Sequence, residues 1–217
     1  MNNLDNMFTG IIQEIGKIKK ITSDGENLVI EIKAEKSLKS LKKGDSLNLD
    51  GICSTVNSIK KDCFEISYME ETRKRTTVET WKKDQYINIE PALKLSDRLN
   101  GHIVAGHIDC IGSVKKILKK GKTLEIDISF PEDIKKFTAF KGSIAVNGIS
   151  LTISHLDKDF FTVCLIPHTI KNTTLGNKKA GDKVNLEVDI ISRYLKQLFD
   201  ERDSQASYEF LEERGFI

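Results

Sequence analysis

No run of the 217 residues is long and apolar enough to span a bilayer, which takes about 20 residues. The opening MNNLDN is polar and lacks the basic and apolar regions of a secretion signal, so a cytoplasmic location is expected. Charge of one sign is lacking as well. Lys and Arg number 34 against 32 Asp and Glu, for a net charge of +2. That interspersed balance excludes a phosphate-driven nucleic-acid surface. Cysteine is limited to Cys53, Cys63, Cys110 and Cys164, with no C-x-x-C pair, which leaves a zinc ribbon unsupported. In a cytosolic chain these thiols are expected reduced, most of them as small buried hydrophobes. There is no G-x-G-x-x-G after a strand, no P-loop and no G-x-S-x-G elbow, so nicotinamide and nucleotide chemistry find no foothold.

What the chain does have is itself, twice, about 97 residues apart. FTGIIQEIGKIKKI (Phe8–Ile21) aligns with VAGHIDCIGSVKKI (Val104–Ile117) in its two glycines, its apolar positions and its K-K-I ending. DGICSTV (Asp50–Val56) aligns with NGISLTI (Asn147–Ile153), and EETRKRTTV (Glu70–Val78) with PHTIKNTTL (Pro167–Leu175). The period exceeds the roughly 20–50 residues of solenoid units, so each copy is a domain. With 39% hydrophobic residues the chain can bury two cores of roughly 95 residues each.

Strand patterns dominate both copies. Leu28–Ile32 and Leu124–Ile128 each follow a Gly-containing turn. Ser46–Leu49, Cys63–Tyr68, Tyr86–Ile89, Ser143–Val146, Phe160–Leu165 and Lys183–Val188 read as strands too. Short strands every 8–12 residues or so predict a small barrel or sandwich, and closure into a barrel removes exposed edges. Short helical turns are expected at Ser37–Leu41 and Glu132–Phe137. The tail differs in kind. Ile190, Ile191, Tyr194, Leu195, Leu198 and Phe199 fall on one helical face, with Asp189 as an N-terminal acid. A second helix is expected over Ser204–Arg214, with Gly215 as its C′ residue and Phe216 beyond. The apolar face can pack on its own barrels or on another copy.

Polar chemistry concentrates in Asn100–Cys110, where His102 and His107 are half of all the histidines. A zinc site built from these with Asp109 or Cys110 meets a spacing problem: i, i+5 puts the histidines on opposite faces of a strand and about 140° apart on a helix. Two satisfied structural histidines, or a pair that binds and shuttles protons near neutral pH, are the other readings. Cys53 aligns with Ser150, so the copies differ at a potential nucleophile, while Gly51/Gly148 and Thr55/Thr152 coincide. A lone cysteine in such a context is otherwise a core residue. Glycines and small hydroxyls there would let a flat heterocycle lie against the backbone. Thr72, Thr76 and Thr77, with Thr169, Thr173 and Thr174, offer further hydroxyls or simply a wet strand.

M-F-T-G-I (Met7–Ile11), G-x-C-x-T (Gly51–Thr55), G-H-x-x-x-G-H-x-D (Gly101–Asp109), N-G-x-S-L-T (Asn147–Thr152) and L-I-P-H-T…T-T-L-G (Leu165–Gly176) occur in this order. Together they resemble the riboflavin synthase family of the two-barrel alpha-chain type, from Met7 to the C-terminal helix. The resemblance implies an all-β fold of two tandem six-stranded Greek-key barrels related by a pseudo-twofold repeat, plus a C-terminal α-helix. Residues 7–102 and 103–189 would form the lumazine-binding barrels, 190–217 the oligomerising helical segment and 1–6 an extension. It further implies a dismutation of two 6,7-dimethyl-8-ribityllumazine molecules by four-carbon transfer, giving riboflavin and 5-amino-6-(D-ribitylamino)uracil, without metal or added cofactor. The assembly implied is a homotrimer, its productive site formed between the N-terminal barrel of one subunit and the C-terminal barrel of the next. A lumazine synthase capsid is a further candidate partner, with neither nucleic acid nor membrane involved. A non-catalytic lumazine- or flavin-binding antenna of the same fold is the alternative.

By position, the resemblance gives the first barrel Gly10, Ile11 and Ile12, then Cys53, Ser54 and Thr55, then Ser67, Tyr68, Met69, Glu70, Glu71 and Thr72 as substrate contacts. The second barrel receives Gly106, His107 and Ile108, then Ser150, Leu151 and Thr152, then Cys164, Leu165, Ile166, Pro167, His168 and Thr169. Lys141 matches a basic residue that reaches substrate across a subunit interface. Phe8, Ser46, Cys53, His102, His107, Thr152 and Asp189 match positions linked to activity. His107 or His102 would help remove a proton from the C7 methyl of one lumazine, and Cys53 or a water near it would add to C7 of the other. The chain departs from the family pattern at Asp50, Ser54, Arg73, Thr77-Val78-Glu79 and Asn100, all but the last in copy one.

Overall fold

The computed structural model describes residues 7–205 and Glu212. Of the helix expected over Ser204–Arg214, Ser204 and Gln205 fall within the helix that starts at Ile190 and Glu212 is helical, while its other residues, Gly215, Phe216 and the first six residues lie outside the described residues. Two closed antiparallel barrels follow one another. The first holds β1 (Glu14–Asp24), β2 (Asn27–Lys33), β3 (Ser46–Leu49), β4 (Ile52–Ile59), β5 (Cys63–Tyr68) and β6 (Tyr86–Pro91) in the order β1-β2-β5-β4-β3-β6. The second repeats the same Greek-key circuit with β7 (Cys110–Lys120), β8 (Thr123–Ser129), β9 (Ser143–Val146), β10 (Ile149–Leu156), β11 (Phe160–Leu165) and β12 (Lys183–Val188).

Eight of these strands coincide with the sequence reading; β1, β4, β7 and β10 were not read from it. Each of those four carries a register shift, between Ile18/Lys20, Val56/Ser58, Val114/Lys116 and Ile153/His155. A bulge inserts an extra residue and flips the inward set, so the period-2 pattern breaks where the strand bends to close the barrel. The threonine-rich segments are corrected more sharply. Glu70–Arg75 forms a helix, α1, and Pro167–Asn172 another, α3, each followed through an extended threonine by a 3-10 turn, so neither is a wet strand. A third short helix, α2, covers Glu132–Lys135.

Each barrel has its own core. Ile18, Ile30, Ile32, Leu47, Phe64, Ile66 and Ile87 fill the first, and Val114, Ile126, Ile128, Phe161, Val163, Val184 and Leu186 the second. The outer faces of β6 and β12 are buried too, because the barrels pack there through polar side chains. Asn88 Nδ2 donates to the Asn147 carbonyl (3.0 Å), and Asn185 Nδ2 donates to the Asp50 carbonyl (2.8 Å). Thr174 N–H donates to Asn88 Oδ1 and Thr77 N–H to Asn185 Oδ1, both at 2.8 Å. These four bonds are related by the repeat and satisfy groups that burial would otherwise leave costly.

The chain then enters α4 (Ile190–Gln205). Asp189 caps it, its carboxylate accepting from Ile191 N–H (3.0 Å) and its carbonyl from Ser192 N–H (2.9 Å). Ile191, Tyr194, Leu195, Leu198 and Phe199 remain 50–61% exposed. Of the two partners open to this apolar face, the chain's own barrels therefore do not cover it.

Candidate active site

Each copy sends the loop ahead of its first strand across to the other copy. Phe8 and Val104, both fully buried, form the meeting point, exchanging backbone hydrogen bonds of 2.8 and 3.0 Å. Beyond it, Gly10 lies against β10: Ser150 N–H donates to the Gly10 carbonyl at 2.8 Å. Gly106 lies against β4 in the same way, its carbonyl accepting from Cys53 N–H at 2.9 Å. Both glycines have φ +76°, and a Cβ on either would sit 2.6 Å from the backbone nitrogen of its partner. Only glycine permits that approach at that backbone angle.

This crossing corrects the grouping of contacts by barrel. Gly10, Ile11 and Ile12 belong with Ser150 and α3, and Ile12 joins the second barrel's core. Gly106, His107 and Ile108 belong with Cys53 and α1, and Ile108 joins the first barrel's core. Two clefts mark the pseudo-equivalent places. One of about 470 Å³ is lined by Ile11, Ile12, Gln13, Lys36, His168 and Lys171 among others. The other, about 320 Å³, is lined by Arg75, His107, Ile108, Asp109, Glu187 and Arg193 among others. Both are of the size of small-ligand sites. A larger cleft of about 750 Å³, lined by Ile15, Tyr86, Lys178 and Lys183 among others, holds only Thr174 of the candidate residues read from sequence.

The remaining contacts, on β4, β5, α1 and their counterparts in the second copy, divide by exposure. Thr55, Ser67, Met69, Glu70 and Glu71 are exposed beside half-buried Cys53 and Thr72, as are Thr152, Cys164, Ile166, Pro167 and His168 beside Ser150, Leu151 and Thr169. Leu165 turns into the second barrel, and Ser54 and Tyr68 into the first, where Ser54 Oγ and Tyr68 OH bond at 2.6 Å. That pair stands where copy two has Leu151 and Leu165, so the departure at Ser54 is matched by its neighbour. Ser46 is buried on β3 opposite Thr55, and Lys141 is exposed in a turn with φ +64°.

The histidines part company. His102 is 8% exposed, its Nδ1 2.6 Å from Ser150 Oγ and its Nε2 without a hydrogen-bond partner among the described residues. Burial holds its pKa below the usual value, against the opposing pull of the Asp189 carboxylate, so the ring is neutral near pH 7. His107 is exposed in the smaller of the two clefts. Burial, then the charge of Glu187, pushes the Cys53 thiol up.

Glu90 and Glu187 were not read from sequence. Glu187 accepts from Ala105 N–H (2.7 Å) and Gly106 N–H (2.9 Å). Glu90 accepts from Thr9 N–H and Thr9 Oγ1 (2.7 Å each) and from Gly10 N–H (3.1 Å). Each glutamate thus anchors the crossing loop of its own copy. The available signal was their equivalence in the repeat, as the fourth residues of INIEP and VNLEV.

The Lumazine binding domain family matches residues 9–92 and again 105–189. A riboflavin synthase of Actinobacillus pleuropneumoniae is 41% identical over 97% of this chain and 100% of its own length. That of Bacillus subtilis (strain 168) is 36% identical over the same shares. Among solved structures, LumP complexed with 6,7-dimethyl-8-(1'-D-ribityl) lumazine superposes with a TM-score of 0.76 at 25% identity, covering 83% of this chain and 98% of that one. Tandem lumazine-binding domains and near-full-length likeness to these synthases place the chain in the riboflavin synthase family.

Proposed function

We propose that the chain is a riboflavin synthase, converting two molecules of 6,7-dimethyl-8-ribityllumazine into riboflavin and 5-amino-6-(D-ribitylamino)uracil. The observation that carries this reading is the pair of crossed sites, alike in architecture and different in chemistry. One presents Cys53 and the other Ser150 with His102. Two identical substrates must play opposite roles, one losing a proton and giving up four carbons, the other accepting them. Near-symmetric pockets with unlike polar groups suit that division.

In this reading the base is neutral His102, whose Nε2 is buried and unengaged by the described residues, and the acid is the C7 methyl. The raised Cys53 pKa favours a protonated thiol that orients an adding water at C7 over a standing thiolate. Holding the two rings in register supplies much of the acceleration, because the reaction is bimolecular in substrate. Thr55, Ser67, Thr152 and Cys164 are exposed on their strands, so each site is open on that side. That openness supports a productive site completed by a neighbouring subunit, with the apolar face of α4 as the contact and a cytoplasmic homotrimer as the assembly.

Pure protein incubated anaerobically with the lumazine is expected to consume two substrates per riboflavin formed. Stable binding without conversion would instead mark an antenna protein. Cys53→Ser is expected to lower turnover by at least roughly tenfold with little change in Tm; full turnover would remove Cys53 from the chemistry.

A further inference from the structure

We propose that Glu187 is a positioning residue of the Cys53 site: its carboxylate holds the His107-bearing loop across Cys53, and protonation lets that loop go. The geometry is a short chain of contacts. Glu187 takes the amides of Ala105 and Gly106, Gly106 in turn takes the Cys53 amide, and His107 and Ile108 follow directly. The loop therefore has its position over β4 set from both sides, by a carboxylate on β12 and a backbone bond to Cys53.

Comparison with the other copy makes Glu187 the weaker anchor. Glu90 has the Thr9 hydroxyl as an added donor and Asn48 Nδ2 at 3.3 Å. The equivalents of Thr9 and Asn48 in copy two are Ala105 and Ala145, which supply neither. Burial pushes Glu187 up to about 7, with the amides of Ala105, Gly106 and His107 opposing and the charge of Asp109 adding. The other charged or titratable groups around it are His107 on the loop, Cys53 on β4, Arg75 on α1, Arg193 on α4, and Asp189 two residues along the chain. Arg193 is engaged with Asp109, whose other oxygen accepts from Val188 N–H at 2.8 Å. Above about pH 7 the carboxylate accepts both amides; below it the added proton removes the charge that holds them.

The proposal rests on the synthase reading for its kinetic test and on geometry alone for its chemical one. In the wild-type chain, kcat/KM is expected to fall through KM as the pH drops through about 7. Glu187→Gln is expected to raise KM about tenfold at pH 8, to leave kcat within about twofold, and to lose that acid limb. Ala105→Thr installs the donor that Glu90 already has, so it should move the limb to lower pH with KM unchanged at pH 8. A role confined to stability would shift Tm and leave both pH profiles as in the wild type, which overturns the proposal. Without substrate, iodoacetamide labelling of Cys53 at pH 8, read by peptide mass spectrometry, is expected several-fold faster in Glu187→Gln; an unchanged rate also overturns it. A wild-type chain without turnover would refute the synthase reading, while the labelling result still decides this one.

Discussion

Gly106 shows how much a single position can demand. Its φ of +76° is strained for any residue with a Cβ, and a Cβ there would meet Cys53 N at 2.6 Å. Gly121 has φ +61° as well but nothing within 4 Å of the added atom. Gly106→Ala is therefore expected to cost about 2–4 kcal/mol, strain and overlap together, and Gly121→Ala only about 1 kcal/mol from strain. Urea unfolding of the two variants separates these terms, and equal losses would mean that the approach to Cys53 carries no energy. The sequence revealed that Cys53 and Ser150 break the repeat. It could not reveal what touches them, because Gly10 and Ser150 are 140 residues apart and meet only after both barrels close. Glu90 and Glu187 stayed hidden for a related reason: along a strand a glutamate between apolar residues reads as a solvent-facing position. Here that outer face is the contact between barrels.

At the scale of elements, alternation betrayed every strand that stays in register and missed each one that is bulged. β1 ends in a lysine-rich, exposed stretch after its shift, and β7 repeats that pattern. The clearest signal was the 3.6-residue stripe of α4, and the structure leaves it exposed. Burying five such side chains between subunits is worth about 1.5–3 kcal/mol each when complete. Leu195→Lys/Phe199→Lys is accordingly expected to reduce the proposed homotrimer to monomer by sedimentation, and to abolish riboflavin formation if a neighbour completes each site. A variant that still sediments with the wild type would show that another surface holds the subunits.

Taken as a whole molecule, the two barrels are braced by a near-symmetric polar strut that differs at one atom pair. Asp50 and Asn147 share φ +46°, a backbone conformation that both residue types tolerate. Asp50 Oδ1 accepts from Asn88 N–H at 2.8 Å, and Asn147 Oδ1 accepts from Asn185 N–H at 2.7 Å. Copy one thus places a carboxylic acid where copy two has a neutral amide, in a site without water access. Burial pushes Asp50 up to about 6 from 3.8, against the Asn88 amide and the charge of Lys178. The folded pKa lies above the unfolded one, so the native state binds the extra proton between those values. Stability from this group is therefore present at low pH and lost as pH rises through about 6. Asp50→Asn keeps the accepting oxygen and removes the charge. The variant is expected to gain about 1–3 kcal/mol at pH 8 and almost nothing at pH 4. Denaturant midpoints at the two pH values test this, and an equal shift at both would mean that the Asp50 charge is not what separates the copies.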